Sequence, residues 1–195
     1  MSDTTNPRRG PSPMMLVSLG IGALLAITLI VTVSALTGKT VTLGQNQIPT
    51  SALVGTKVAS FSLPGVNGGT IQAPWKTGHA GAVMFFASWC TPCQNELPKV
   101  TEFLRHHSYG SVQLIGVDEE GAASGLPNAK TFVAKTHVQF PVGFDPNDSV
   151  VTGIFKFGQL PETVFVSKSG VVREVIFGAI SPKRLDSELQ KLQRA

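Results

Sequence analysis

Cys90 and Cys93 are the only cysteines in this chain of 195 residues. They lie two residues apart, in Trp89-Cys90-Thr91-Pro92-Cys93. The apolar run Ala82-Val83-Met84-Phe85-Phe86-Ala87 leads into them, and the helix-compatible run Gln94 to Val100 leads away. A Cys-x-x-Cys at a strand-to-helix junction suggests a redox dithiol, because its two sulfurs can bridge and the first lies at a helix N-terminus. The thiolate is the nucleophile in disulfide exchange, and an ordinary thiol, with a pKa of about 8.5, is mostly protonated at neutral pH. The partial positive charge and unpaired amides of a helix N-terminus favour the thiolate of the first cysteine. Cys90 is therefore expected to attack, and Cys93, one turn further in, to resolve the mixed disulfide. Pro92 falls in the first turn, where a missing amide is tolerated. The rival use of such a pair is zinc. His106 and His107 follow at a finger-like distance, but they are adjacent and lie on the helix that begins at the cysteines, while His79 and His137 are isolated. No metal site is expected, and no cofactor beyond the Cys90–Cys93 disulfide itself.

The elements needed to hold that pair follow from the pattern around it. Ala80 to Ala87 reads as a strand buried on both faces. A helix is predicted from about Thr91 to His107, with Leu97, Val100, Phe103 and Leu104 at helical spacing, and a second buried strand over Ser111 to Val117. Asp118-Glu119-Glu120-Gly121 then reads as an exposed acidic loop. Asn128 is an expected N-cap for a helix to about Val138. Phe140 to Phe144 is a short strand and Ser149 to Phe155 a short helix. Thr163 to Ser167 and Val171 to Phe177 flank Lys168-Ser169-Gly170, a hairpin with Gly at its turn. Ser181-Pro182 opens a final helix with Leu185, Leu189 and Leu192 on one side. Val58 to Leu63, the turn signals Pro64-Gly65 and Asn67-Gly68-Gly69, and Thr70-Ile71-Gln72 suggest an N-terminal hairpin. The order points to an α/β fold with a mixed sheet covered by helices.

Ahead of this domain the composition changes. Residues 1–13 are polar, rich in Pro and Gly, and include Arg8 and Arg9. Met14 to Leu36 carries no charge, and as a helix it would span about 34 Å, enough to cross a hydrocarbon core of about 30 Å. It is read as one transmembrane helix. The two arginines before it place the N-terminus in the cytoplasm and the rest of the chain outside, at the cell membrane. Val33-Ser34-Ala35 resembles a signal cleavage site, but the run is longer than a signal-peptide core, which favours a retained anchor. Residues 37–56 read as a linker and 57–195 as the folded domain. A net charge of +4, with no basic stripe interleaved with aromatics, gives nucleic-acid binding no support.

Ala87 to Cys93, followed by Glu96 and Pro98, resembles the active site of the TlpA/ResA-like branch of the thioredoxin superfamily, the cytochrome c maturation type. Phe140-Pro141-Val142 with Asp145, Leu160-Pro161-Glu162-Thr163-Val164-Phe165-Val166 and Ser169-Gly170 resemble the second half of that family in order and spacing, so the likeness covers about Lys57 to Ala195. The resemblance implies a thioredoxin-like fold, with the residues between Asp118 and Pro161 forming the branch's central strand-helix insert. It implies that Pro161 is a cis-proline packed against the dithiol, leaving the Leu160 backbone free to pair with substrate beside Trp89. It also implies that Glu96 assists proton transfer and that Pro98 kinks the active-site helix. Met84 departs from the pattern: relatives carry Asp or Asn there, so acid–base duty shifts towards Glu96. Glu162 in Pro-Glu-Thr leans towards the branch that reduces apocytochrome c, with electrons from an integral membrane thiol reductant. The same residues would serve an oxidase or isomerase of exported proteins, and a non-catalytic binding module would keep the fold without turnover. A peroxidase relative fits less well, since Trp89 directly precedes Cys90 and a second cysteine follows so closely.

Overall fold

A computed structural model of the chain describes residues 52–121 and 125–195. The tail, the apolar run 14–36 and most of the linker lie outside the described residues; among the described residues no helix is long and apolar enough to cross a membrane. Among the described residues, seven strands form two sheets. The hairpin β1 (Ser62–Pro64) and β2 (Thr70–Gln72) is antiparallel and separate. The main sheet contains β3 (Gly81–Phe86), β4 (Gln113–Asp118), β5 (Val142–Phe144), β6 (Glu162–Val166) and β7 (Val172–Phe177), in the order β5-β4-β3-β6-β7. β3, β4 and β5 are parallel, whereas β6 and β7 run antiparallel to their neighbours. The sheet is mixed, as expected, with β3 at its centre. All six residues of β3 are buried, which explains its unbroken apolar sequence.

Three helices, α1 (Thr91–Leu104), α2 (Gly125–Lys135) and α3 (Pro182–Arg194), cover one face. Leu97 and Val100 from α1, Phe132 and Val133 from α2, and Leu185 and Leu189 from α3 share a core with Ala82, Met84, Phe86 and Phe165. The opposite face has no helix of that length. The hairpin, a 3-10 turn (Pro74–Thr77) and the segment after β5 cover it. Phe61, Trp75, Phe155 and Phe157 meet Phe85 or one another there, with most pairs edge to face at centroid distances of 5.2–6.5 Å. Where the hairpin crosses β5, Gly143 is required: a Cβ there would lie 2.9 Å from Leu63 Cβ.

Several boundaries differ from the sequence reading. α1 ends at Leu104, short of His107. α2 begins at Gly125, three residues before Asn128, and stops at Lys135. Ser149 to Phe155 is not a helix. The amides of Thr152 and Gly153 both turn to Asp148 O, and those of Ile154 and Phe155 both turn to Val150 O. A helix would advance one carbonyl per residue. Backbone pairing already starts at Gly55, whose amide donates to Val172 O at 2.9 Å. The largest correction concerns the acidic run: Asp118 and Glu120 are buried, not exposed. Asp118 is still the last residue of β4, in register with Phe86, so the strand carries the run inward before it turns.

Candidate active site

Cys90 is the N-cap of α1, in extended backbone conformation, and its Sγ accepts a hydrogen bond from Cys93 N at 3.2 Å. The two cysteines are joined in a disulfide. Cys90 is 4% exposed and Cys93 is fully buried, so a partner approaching the end of the sheet meets Cys90 first. Both cysteines of the chain are used in this bond, which leaves no lone thiol. Trp89, beside them, is 64% exposed, the most open large apolar side chain among the described residues.

Two elements bring the other expected residues to this end of the molecule. The β3–β6 register pairs Phe85 with Glu162, so Pro161 follows opposite Phe86, where β3 runs out towards Trp89. The Leu160–Pro161 peptide is cis, as the resemblance implied. Pro161 O accepts from Gly178 N at 2.9 Å, while the Leu160 backbone makes no hydrogen bond to any described residue. Glu96, on the same side of α1 as Cys93, is 4% exposed. Its Oε1 accepts from Ile180 N, and its Oε2 has no partner. Burial pushes its pKa up to about 7, against the opposing pull of the Ile180 amide. Glu96 lines a 490 Å³ cleft with Thr91, Pro92, Lys99, Ile180 and Pro182, beside the first turn of α1, while its carboxylate oxygens are buried. Met84 is buried in the core and carries no proton, as its type dictates. His106 and His107 lie past the C-terminal end of α1, opposite the end that Cys90 caps, where His106 pairs with Glu102 and His107 stacks on Phe103.

The sequence reading missed three residues here. Glu120 Oε1 accepts from Ser88 N at 2.6 Å, and Gln94 Nε2 donates to Ser88 O at 2.6 Å, so side chains hold both polar groups of the residue before Trp89. Ile180 supplies the amide that holds Glu96. A buried acid 32 residues away in sequence leaves no local pattern. The one available signal is that Asp118 and Glu120 follow a buried strand without a turn residue between them. Further acids crowd this end of the sheet. Burial raises Asp118 to about 7, with a smaller push from Glu120 and relief from the Glu120 amide. It raises Glu162 to about 7, with Gln159 opposing. Glu119 rises to about 8, first through burial and then through the charges of Asp148, Asp145, Glu162 and Asp118.

Comparison with known proteins agrees with this geometry. The AhpC/TSA family profile matches residues 54–175. The thiol-disulfide oxidoreductase ResA of Bacillus cereus is 27% identical over 139 residues, covering 71% of this chain and 78% of the relative. A thiol:disulfide interchange protein, DsbE from Chlorobium tepidum, superposes with a TM-score of 0.60 at 24% identity, over 73% of this chain and 99% of that one. DsbF of MTB superposes with a TM-score of 0.58 at 28% identity, over 68% and 94%. With a Cys-x-x-Cys disulfide capping the helix after the central strand, the chain belongs to the AhpC/TSA family, and it is a thiol-disulfide oxidoreductase of thioredoxin-like fold.

Proposed function

We propose that the chain is a membrane-anchored, extracytoplasmic reductant of protein disulfides, in which Cys90 attacks and Cys93 resolves. The observation that carries this reading is the arrangement of the pair: Cys90 caps α1 and keeps some exposure, whereas Cys93 has none. In the reduced enzyme the Cys90 thiolate attacks one sulfur of a partner disulfide. A Cys90–partner bond forms, the partner S–S bond breaks, and the departing thiolate takes a proton. Cys93, deprotonated in its turn, attacks Cys90 Sγ. This forms the Cys90–Cys93 bond and releases the second partner thiolate. Two electrons pass from the dithiol to the partner. Glu96 is the group suited to take the Cys93 proton, since its pKa lies near 7 and one carboxylate oxygen is unoccupied. Trp89, Leu160 and Pro161 form the surface that receives the partner backbone.

The charge-free run Met14 to Leu36, preceded by Arg8 and Arg9, supports an anchor with the catalytic domain outside the cell membrane. Pro161-Glu162-Thr163 supports apocytochrome c as the substrate, and an integral membrane thiol reductant would return Cys90–Cys93 to the dithiol. The test is the reduction potential of the dithiol, measured on the full chain in detergent against glutathione buffers. A reductant is expected near thioredoxin, at roughly −270 mV or lower; a value near roughly −120 mV would assign the opposite direction, oxidation of exported proteins.

A further inference from the structure

We propose that Glu120 is the positioning residue of the dithiol loop: it fixes the Ser88 peptide and, through it, the placing of Trp89 and Cys90. Ala87, Ser88 and Trp89 connect β3 to α1, and this short connection must set the sulfur of Cys90 at the helix N-terminus. One backbone bond closes the turn, from Cys90 N to Ala87 O at 3.2 Å. Ser88 in the middle has no strand partner. Instead the Glu120 carboxylate accepts its N–H and the Gln94 side-chain amide donates to its C=O, both at 2.6 Å. The first partner comes from the end of β4 and the second from α1 itself, so the loop is pinned to sheet and helix at once.

Glu120 is built to stay in place. It is 4% exposed, and its own amide donates to Asp118 Oδ1 at 3.1 Å. Glu119 N donates to Phe86 O at 3.0 Å, which carries the β3–β4 pairing one residue beyond the strands and brings the next side chain back towards the loop. The first residue of α2 presses on it from the other side. A Cβ at Gly125 would lie 2.8 Å from Glu120 O and 2.9 Å from Glu120 Cβ, so only glycine lets α2 start so close. Glu120 does not touch the sulfurs. Its effect is on the aim of Cys90, and small misplacements of a reacting group are costly in rate.

The inference rests on Cys90 being the attacking thiol, and the experiment separates the two. The reduced full chain in detergent is reacted with a small symmetric aromatic disulfide, which needs no docking surface, and the thiol that reacts is identified by alkylation and mass mapping. Glu120→Ala is expected to lower the second-order rate on the order of 10- to 100-fold and to change Trp89 emission. Glu120→Gln, whose amide oxygen still accepts from Ser88 N–H, should restore most of the rate. A folded Glu120→Ala protein that reacts at the wild-type rate would overturn the proposal. So would a Glu120→Gln protein as slow as the alanine variant, since charge and not position would then matter. If Glu120→Ala does not fold, Gln94→Ala on the exposed side of α1 removes the other half of the clamp. A several-fold loss there supports the proposal, and an unchanged rate ends it. Reaction at Cys93 in the unmutated protein would instead remove the assignment of Cys90, whatever the Glu120 variants do.

Discussion

Glu96 holds an acid in an unusual setting for the first turns of a helix, where a carboxylate is ordinarily solvated and favoured by the dipole. Here it is buried, held on one oxygen by Ile180 N, without a partner on the other, and raised to about 7. To act as a base towards Cys93 it must be ionised, so the rate at which the mixed disulfide resolves should rise with pH through about 7. In Glu96→Gln that rise should move to the range of the thiol itself, near 8.5, and the rate at pH 7 should fall on the order of 100-fold. Stopped-flow decay of a preformed mixed disulfide at Cys90 measures this, and a profile identical to that of the unmutated protein would remove Glu96 from the proton path. In the same experiment Cys93→Ser should arrest the reaction at the mixed disulfide, which would then be isolable by mass. Cys90 and Cys93 were legible from spacing alone. Glu96 was legible only through a family resemblance, because nothing local distinguishes an acid that faces inward from a solvated one three residues away. Glu120 was not legible at all: its role depends on which way the chain turns after β4.

At the scale of elements, the helix-free face of the sheet depends on one carboxylate. Asp145, 1% exposed at the end of β5, accepts from Ser149 N at 3.0 Å, Ser149 Oγ at 2.6 Å and Val150 N at 2.7 Å. These bonds wind residues 146–151 into turns and deliver Phe155 and Phe157 onto Phe85. Asp145→Ala should lower unfolding free energy by about 2–4 kcal/mol, since several charge-assisted bonds are lost and buried amides are stranded. Asp145→Asn should lose less. Urea unfolding monitored by far-UV signal checks it, and a loss under about 0.5 kcal/mol would show that aromatic packing alone holds the segment. The same carboxylate explains why a helix expected over Ser149 to Phe155 is absent. Val150, Val151, Ile154 and Phe155 have helical spacing, but Asp145 takes the amides at the start and later amides double up on two carbonyls. Spacing reports which side chains are buried, not which acceptor the backbone finds. The strands were read more closely, because Ala82 to Phe86 and Thr163 to Val166 are apolar on both faces or nearly so, and a central strand of a covered sheet requires that. The hairpin, the final helix and the mixed sheet followed from turn residues and periodicity. The one-sided placing of the three helices did not, because it depends on what Phe61, Trp75 and Phe155 pack against.

Across the whole molecule, acids with raised pKa values gather where β4 ends, β6 begins and α1 starts: Glu96, Asp118 and Glu162 at about 7, and Glu119 at about 8. Burial is the first cause in each case, so the fold holds these groups more easily neutral than charged. Stability therefore carries a pH dependence of definite sign. Below about 4.5 the carboxyls are protonated in both folded and unfolded chains, and burial of the neutral form costs little. Between about 4.5 and 8 the unfolded chain releases these protons and the folded chain keeps them, so the free energy of unfolding falls as pH rises. Above about 8 both states are ionised and the loss is complete. The melting temperature should be highest near pH 5 and lower by at least about 5 °C at pH 8, a size set by about 2 kcal/mol in a domain of this length. The oxidised protein is the form to measure, since its cysteines do not titrate. Glu162→Gln should flatten the slope, because its carboxyl is 1% exposed and its Oε2 has no partner. A melting temperature that is level or rises from pH 5 to pH 8 would show that these acids are solvated or paired in solution, and the reading of Glu96 as a poised base would fall with it, because both rest on the same burial.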